Sequence, residues 1–159
     1  MGVFRQLKRL ENIGLQLVVA LTVSVVLALP ARGNDVLPFR GHAEEVITGV
    51  TTVADGLQVT SNGGGQATYL GRFTRLASVL VHGDGSAEGT VMFTAANGDQ
   101  LFMEVVGVPT TSPTTIGGTY TFTGGTGRFS DASGTANFAG VIAPDGTHIT
   151  VAFEGTIQY

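Results

Sequence analysis

Cysteine is absent from the 159 residues of the sequence, and so is tryptophan. Without cysteine the chain cannot form the disulfide cross-links that small secreted domains often use. The same absence excludes a lipoprotein, whose lipid is carried by a cysteine. The fold must therefore be stabilised by apolar burial and by backbone pairing, which a domain of this length can supply.

Basic residues are scarce, and half of the eight lie within residues 1–33. Lysine occurs once, at Lys8, and residues 34–159 hold four arginines against eleven aspartates and glutamates, a net charge of −7 with histidine neutral. Phosphate backbones and anionic membrane surfaces are bound through clustered Lys and Arg side chains. The composition therefore predicts no nucleic-acid partner and disfavours an anionic membrane surface.

The N-terminal segment has the three-part pattern of a secretory signal peptide. Its basic residues are Arg5, Lys8 and Arg9. An almost wholly apolar run, Ile13–Leu29, follows, and Pro30 and the small residues of Ala31–Gly33 come after it. We expect a signal-peptide helix over 1–33 and one domain over 34–159, located in the periplasm or outside the cell. The alternative is an uncleaved membrane anchor, since the run is close to the lower limit for a membrane span of ~17–25 residues.

After this leader the sequence predicts strands joined by tight turns. Thr and Val are frequent, Gly occurs 24 times, and several runs alternate between apolar and polar residues. The predicted strands are approximately 38–50, 56–61, 65–70, 73–82, 87–96, 100–107, 117–123, 133–142 and 147–157. The glycine-rich segments 63–65 and 124–127 are interpreted as turns, and 108–118 as the longest loop.

Four Asx-Gly pairs indicate that neighbouring strands form hairpins. They are Asp55-Gly56, Asp84-Gly85, Asn97-Gly98 and Asp145-Gly146. Both residues of such a pair tolerate the positive φ of a tight hairpin turn. The fold class that follows is all-β, an antiparallel meander that closes into a barrel of about eight strands.

The most distinctive motif is a glycine-rich turn between two predicted strands. It runs from Gly118 to Gly134 as GTYTFTGGTGRFSDASG. Glycines at 124, 125 and 127 allow positive φ or close backbone approach. The motif continues with Arg128 and Phe129, and the phenylalanine is expected to cover one end of the barrel.

This motif resembles the Gly-Gly-[Ser/Thr]-Gly-x-Phe-x-x-Ala-x-Gly segment of the allene oxide cyclase and dirigent superfamily. The resemblance is good over 118–140 and loose over 64–143. It implies an eight-stranded barrel with a central apolar cavity, often dimeric or trimeric, that acts without cofactors on small reactive molecules. Similar barrels occur among exported bacterial proteins, and this chain looks like one of them. The motif describes a turn, so no catalytic residue is transferred from the family.

Glu104 is the one candidate catalytic residue, because it is the only charge in the apolar run 100–107. A buried lone carboxylate is costly unless it is paired, and such burial is how a cavity acid or base is made. The alternative places Glu104 on the outer face, with Leu101, Met103 and Val105 inside.

Candidate ligand-binding residues are the polar row Arg40, His42 and Glu44, together with Arg75 and Glu154. The polar row occupies one face of a predicted strand, so it either lines the lumen or is an ordinary solvated face. No metal site is expected, since His42, His82 and His148 lack metal-ligand spacing.

The function predicted from these observations is binding of a small apolar molecule in the barrel, with cofactor-free cyclisation, isomerisation or dirigent-like activity. The alternative is a structural or interaction module whose lumen is filled by its own side chains. Lipocalin-like and avidin-like barrels are disfavoured, because they rely on tryptophans that this chain lacks.

Overall fold

The computed structural model describes residues 35–159, which form one closed antiparallel barrel. Each strand pairs with the next along the chain, and the last pairs with the first. The predicted all-β meander, closed into a barrel of about eight strands, is therefore confirmed. The predicted signal-peptide helix lies outside the described residues. The strands are β1 (Leu37–Val53), β2 (Gly56–Ala67), β3 (Gly71–Val81), β4 (Ala87–Ala95), β5 (Gln100–Gly107), β6 (Thr115–Gly125), β7 (Ser133–Ile142) and β8 (His148–Gln158).

The four Asx-Gly pairs lie where the sequence predicts hairpin connections. Their glycines have φ values of 150° at Gly56, 86° at Gly85, 89° at Gly98 and 70° at Gly146. In two of these turns the aspartate accepts a hydrogen bond from the backbone N–H two residues further on, as in Asx turns. Hydrogen bonds from Ser86 hold the pKa of Asp84 below its usual value, and those from Thr147 lower the pKa of Asp145.

The interpretation of 63–65 as a turn is wrong, because these glycines lie inside the single strand β2. The chain turns later, between Ala67 and Gly71, where Tyr69 has φ of 64°. Gly63 and Gly65 pair with β1, and a Cβ atom on either would overlap a β1 carbonyl oxygen. Glycine is needed here because the two backbones approach too closely for any side chain, as happens at tight bends of a barrel.

Substituting Gly65 by alanine is therefore expected to lower the free energy of unfolding by about 1–3 kcal/mol, the usual cost of forcing extra atoms into a packed site. The new methyl group would overlap the carbonyl oxygen of His42. Gly83→Ala is the control, since nothing lies within 4 Å of a Cβ at that position. Urea denaturation of both variants measures the difference, and equal stabilities would contradict the close approach.

The glycine-rich motif closes one end of the barrel. After β6, a short 3-10 helix (Gly127–Phe129) carries the fully buried Phe129. Gly124 and Gly127 have φ of 113° and 57°, and a Cβ at Gly125 would overlap the carbonyl oxygen of Gln100. Arg128 lies 4.8 Å from the centre of the Phe129 ring and pairs with Asp99 at 3.6 Å. Both glycine properties expected from the sequence, positive φ and close approach, are thus present.

Aromatic rings fill the half of the lumen next to this closed end, which we call the aromatic half. Its phenylalanines are Phe39, Phe73, Phe93, Phe122 and Phe153, all buried. The rings of Phe73 and Phe93 stack with their centroids 4.3 Å apart, and Phe39 meets Phe122 edge-on at 5.0 Å. This half of the barrel is solid, so any ligand site in the interior must lie beyond it.

Candidate functional site

The other half of the lumen contains a pocket of about 210 Å³. Its wall consists mainly of aliphatic side chains from β1, β2, β3, β6, β7 and β8, namely Ile47, Val59, Val79, Ile116, Ile142 and Ile149. Gly85, Val108 and Thr110, from the connections β3–β4 and β5–β6, lie at its mouth. The pocket is therefore an apolar cup that opens at the end of the barrel opposite the 3-10 helix.

Four polar side chains form the floor of this pocket, between the cup and the aromatic half. This floor cluster consists of Glu45, Ser61, Arg75 and Tyr120. Apart from the tyrosine, these are the only buried polar or charged side chains in residues 35–159: Glu45, Ser61 and Arg75 have 3%, 7% and 6% of their surface exposed. Buried charges are rare unless they are paired, so the arrangement of this cluster determines whether the interior tolerates it.

The floor cluster is held by an ion pair and three hydrogen bonds. Arg75 Nη1 pairs with Glu45 Oε2 and also donates to Ser61 Oγ at 3.5 Å, while Ser61 Oγ donates to Glu45 Oε2 at 2.6 Å. Arg75 Nη2 donates to Tyr120 Oη at 3.2 Å. Glu45, Ser61 and Arg75 come from the consecutive strands β1, β2 and β3, whereas Tyr120 comes from β6 and reaches them because the barrel closes.

Tyr120 keeps its proton in this setting. Burial raises the pKa of Tyr120 above its usual value, although the charge of Arg75 and its hydrogen bond act in the opposite direction. The bond from Arg75 uses a lone pair of the hydroxyl oxygen and leaves the O–H group able to donate. The phenol is therefore a neutral hydrogen-bond donor beneath an apolar cup.

Glu45, Ser61 and Tyr120 were not predicted as site residues. The two charged members of the floor cluster, Glu45 and Arg75, nevertheless stand out in the sequence pattern. Glu45 shares its strand face with Phe39 and Ala43, and Arg75 shares its face with Phe73 and Ala77. A charged residue on the apolar face of a strand is buried when the sheet packs, so it needs a partner of opposite charge. Strands β1 and β3 each have one such residue.

Among the predicted ligand-binding residues, Arg75 is the one that faces the lumen. Arg40, His42 and Glu44 are exposed on the outer face of β1, because inward positions of that strand are the odd-numbered ones. Arg40 makes an ion pair with Glu154 of β8 at 3.1 Å on this outer face. The interpretation of the polar row as lumen-lining is therefore wrong, and the solvated-face alternative describes it. A binding role for these residues on the outer surface stays a prediction.

Glu104 also points away from the lumen. It is exposed on β5, while Leu101, Met103 and Val105 are buried on the inner face. This is the alternative that the sequence left open, and it removes the burial that would make Glu104 a cavity acid. Glu104 instead lines two outer troughs over β3–β5, of about 540 and 430 Å³, whose walls are mainly outward side chains of the sheet.

Within residues 35–159, no group of three or more His, Asp or Glu side chains is arranged to hold a metal ion. The same part of the chain has no helix that is long and apolar enough to cross a bilayer.

Comparison with solved structures identifies a protein with the same barrel. No protein-family model matches the sequence, and no curated protein matches it either. A pterocarpan synthase dirigent protein of known structure superposes with a TM-score of 0.55 at 14% identity, covering 87% of this chain and 99% of that chain. This chain has a dirigent-like barrel fold. At such low identity the likeness concerns the fold alone. Evidence for the function of this dirigent-like barrel therefore comes from the residues of its pocket.

Proposed function

We propose that this dirigent-like barrel is exported and binds one small, mostly apolar molecule in the open half of its lumen. The observation that carries the proposal is the cup of about 210 Å³ with aliphatic walls and a polar floor. A few polar groups at the base of an apolar concavity are typical of small-molecule sites. An apolar cavity of ~150 Å³ is large enough for benzene, so the cup suits a ligand with a single ring.

The proposed activity is to confine a reactive ligand so that one cyclised or isomerised product forms. Confinement alone accelerates and directs reactions by fixing the geometry of the reacting atoms. The fold likeness to a dirigent protein supports this choice over other ligand-binding roles. The allene oxide cyclase type of chemistry, suggested by the motif at 118–134, belongs to the same proposal.

Filling the cup should weaken ligand binding strongly. Val79→Trp places an indole in the pocket, and we expect it to weaken binding of isopropylbenzene at least tenfold, since the ring occupies space that the ligand needs. Leu76→Trp is the matched control, because Leu76 lies on the outer face of the same strand β3 and lines an outer trough. Titration calorimetry gives both affinities, and circular dichroism checks the folds.

The outcome that contradicts the proposal is the reverse pattern. If Leu76→Trp weakens binding while Val79→Trp does not, the ligand occupies the outer trough. If wild-type protein binds neither isopropylbenzene nor similar probes, the second candidate function is favoured, a structural module. The solid aromatic half of the lumen is the observation that supports this second candidate.

A further inference from the structure

The guanidinium of Arg75 has more N–H donors than acceptors in contact with it. An arginine carries five N–H donors and no acceptor. In the floor cluster the guanidinium meets three acceptors, on Glu45, Ser61 and Tyr120. Arg75 Nε is the one buried side-chain nitrogen or oxygen in residues 35–159 that has no hydrogen-bond partner.

An unpartnered donor in a buried position has a free-energy cost that a ligand can remove. Leaving a buried polar group unsatisfied costs about 1–3 kcal/mol, and more for a charged group. Tyr120 accepts its hydrogen bond from Arg75, so the O–H group of Tyr120 is a further donor at the floor of the cup. What Arg75 lacks is a further acceptor, and the open space that this side chain lines is the ligand pocket.

The charge of the floor cluster limits what that acceptor can be. Arg75 and Glu45 are both almost fully buried and form an ion pair, so the cluster is neutral as a whole. A carboxylate ligand would bring a second negative charge beside Glu45 without a second cation, and an unpaired buried charge is strongly unfavourable. A ketone, ether or phenol oxygen supplies a lone pair without that charge.

We propose that the ligand is a neutral molecule with an acceptor oxygen that binds to the guanidinium of Arg75, while its apolar part fills the cup. This inference rests on the proposed function, since it assigns the orientation and chemical class of the ligand in that same pocket. Arg75 Nε is enclosed, so the guanidinium turns slightly within its cluster to present an N–H, a type of side-chain adjustment that is common on binding.

Three probes of nearly equal shape test the proposal on the wild-type protein. Isopropylbenzene has no acceptor, acetophenone has a neutral carbonyl, and benzoate has a carboxylate. We expect acetophenone to bind about tenfold more tightly than isopropylbenzene, as for one buried hydrogen bond from a charged donor. Benzoate should bind at least tenfold more weakly than acetophenone. Equal affinities for acetophenone and isopropylbenzene, or tighter binding of benzoate, would overturn the inference.

Two variants identify the donor. The double variant Glu45→Leu/Arg75→Met removes the ion pair without leaving a lone charge, and it should lose the preference for acetophenone while still binding isopropylbenzene. Tyr120→Phe should keep the preference, because it leaves every N–H of Arg75 in place. Loss of the preference in Tyr120→Phe alone would assign the bond to Tyr120 and overturn the role of Arg75. Failure of every probe to bind would instead contradict the proposed function itself.

Discussion

The variant Arg75→Met is expected to lose about 3–5 kcal/mol of unfolding free energy, the cost of breaking a buried ion pair by removing one partner. The physical reason is the charge left behind. Glu45 has 2% of its side chain exposed, and Arg75 is its only partner in an ion pair within the described barrel. Without Arg75, the carboxylate must either remain buried and uncompensated or take up a proton. Urea denaturation followed by circular dichroism measures the loss.

The matched control for this prediction is the ion pair on the outer face. Arg40 and Glu154 lie 3.1 Å apart on the neighbouring strands β1 and β8, and their side chains are 66% and 70% exposed. Exposed pairs contribute no more than about 1 kcal/mol, so Arg40→Met should change the stability little. The double variant Glu45→Leu/Arg75→Met should recover most of the loss, because apolar residues can replace a buried ion pair at little cost. A loss in Arg75→Met as small as that of Arg40→Met would show that the floor cluster is hydrated.

The second large effect is expected in the aromatic half. Phe93 is fully buried, stacks on Phe73 and lies 5.5 Å from the ring of Phe153. Truncation to alanine removes these contacts and leaves a cavity that closed strands cannot collapse to fill, so Phe93→Ala should cost about 3–5 kcal/mol. Thermal and urea unfolding give the value.

Val106→Ala is the control for that truncation, since Val106 is 59% exposed on the outer face of β5. Its stability should stay within about 0.5 kcal/mol of the wild type. A cost for Phe93→Ala below about 1 kcal/mol would mean that the aromatic half is loosely packed, and the solid half-lumen would then be excluded.

Strand order and hairpin positions could be predicted from the sequence because they depend on local chemistry. Asx-Gly pairs mark turns through their own backbone preferences, and alternation in runs such as 87–94 shows which residues share a face. The wrong interpretation of residues 63–65 as a turn also comes from relying on local sequence. Three consecutive glycines are typical of a turn, and only the pairing with β1 shows that they are needed for close approach within β2.

The assignment of faces was less predictable, because β5 is apolar on both sides. Phe102 and Val106 point outward while Leu101, Met103 and Val105 point inward, so alternation alone left two positions open for Glu104. In β1 the polar row lies on the exposed face, whereas the single acid on the apolar face, Glu45, belongs to the buried floor cluster. A shift of one residue exchanges the two faces of a strand, and local sequence contains little that decides between them when both are apolar.

The amino-acid sequence by itself determined that the chain forms an all-β meander of about eight strands, since turn chemistry and alternation act between near neighbours. Only the tertiary structure decided which faces enclose the lumen and which polar residues meet inside it. Tyr120 is 45 positions from its hydrogen-bond partner Arg75, and the two share a site because the sheet closes on itself. Contacts between strands that are not neighbours in the sheet depend on the stagger and tilt of the closed barrel, which no local pattern encodes.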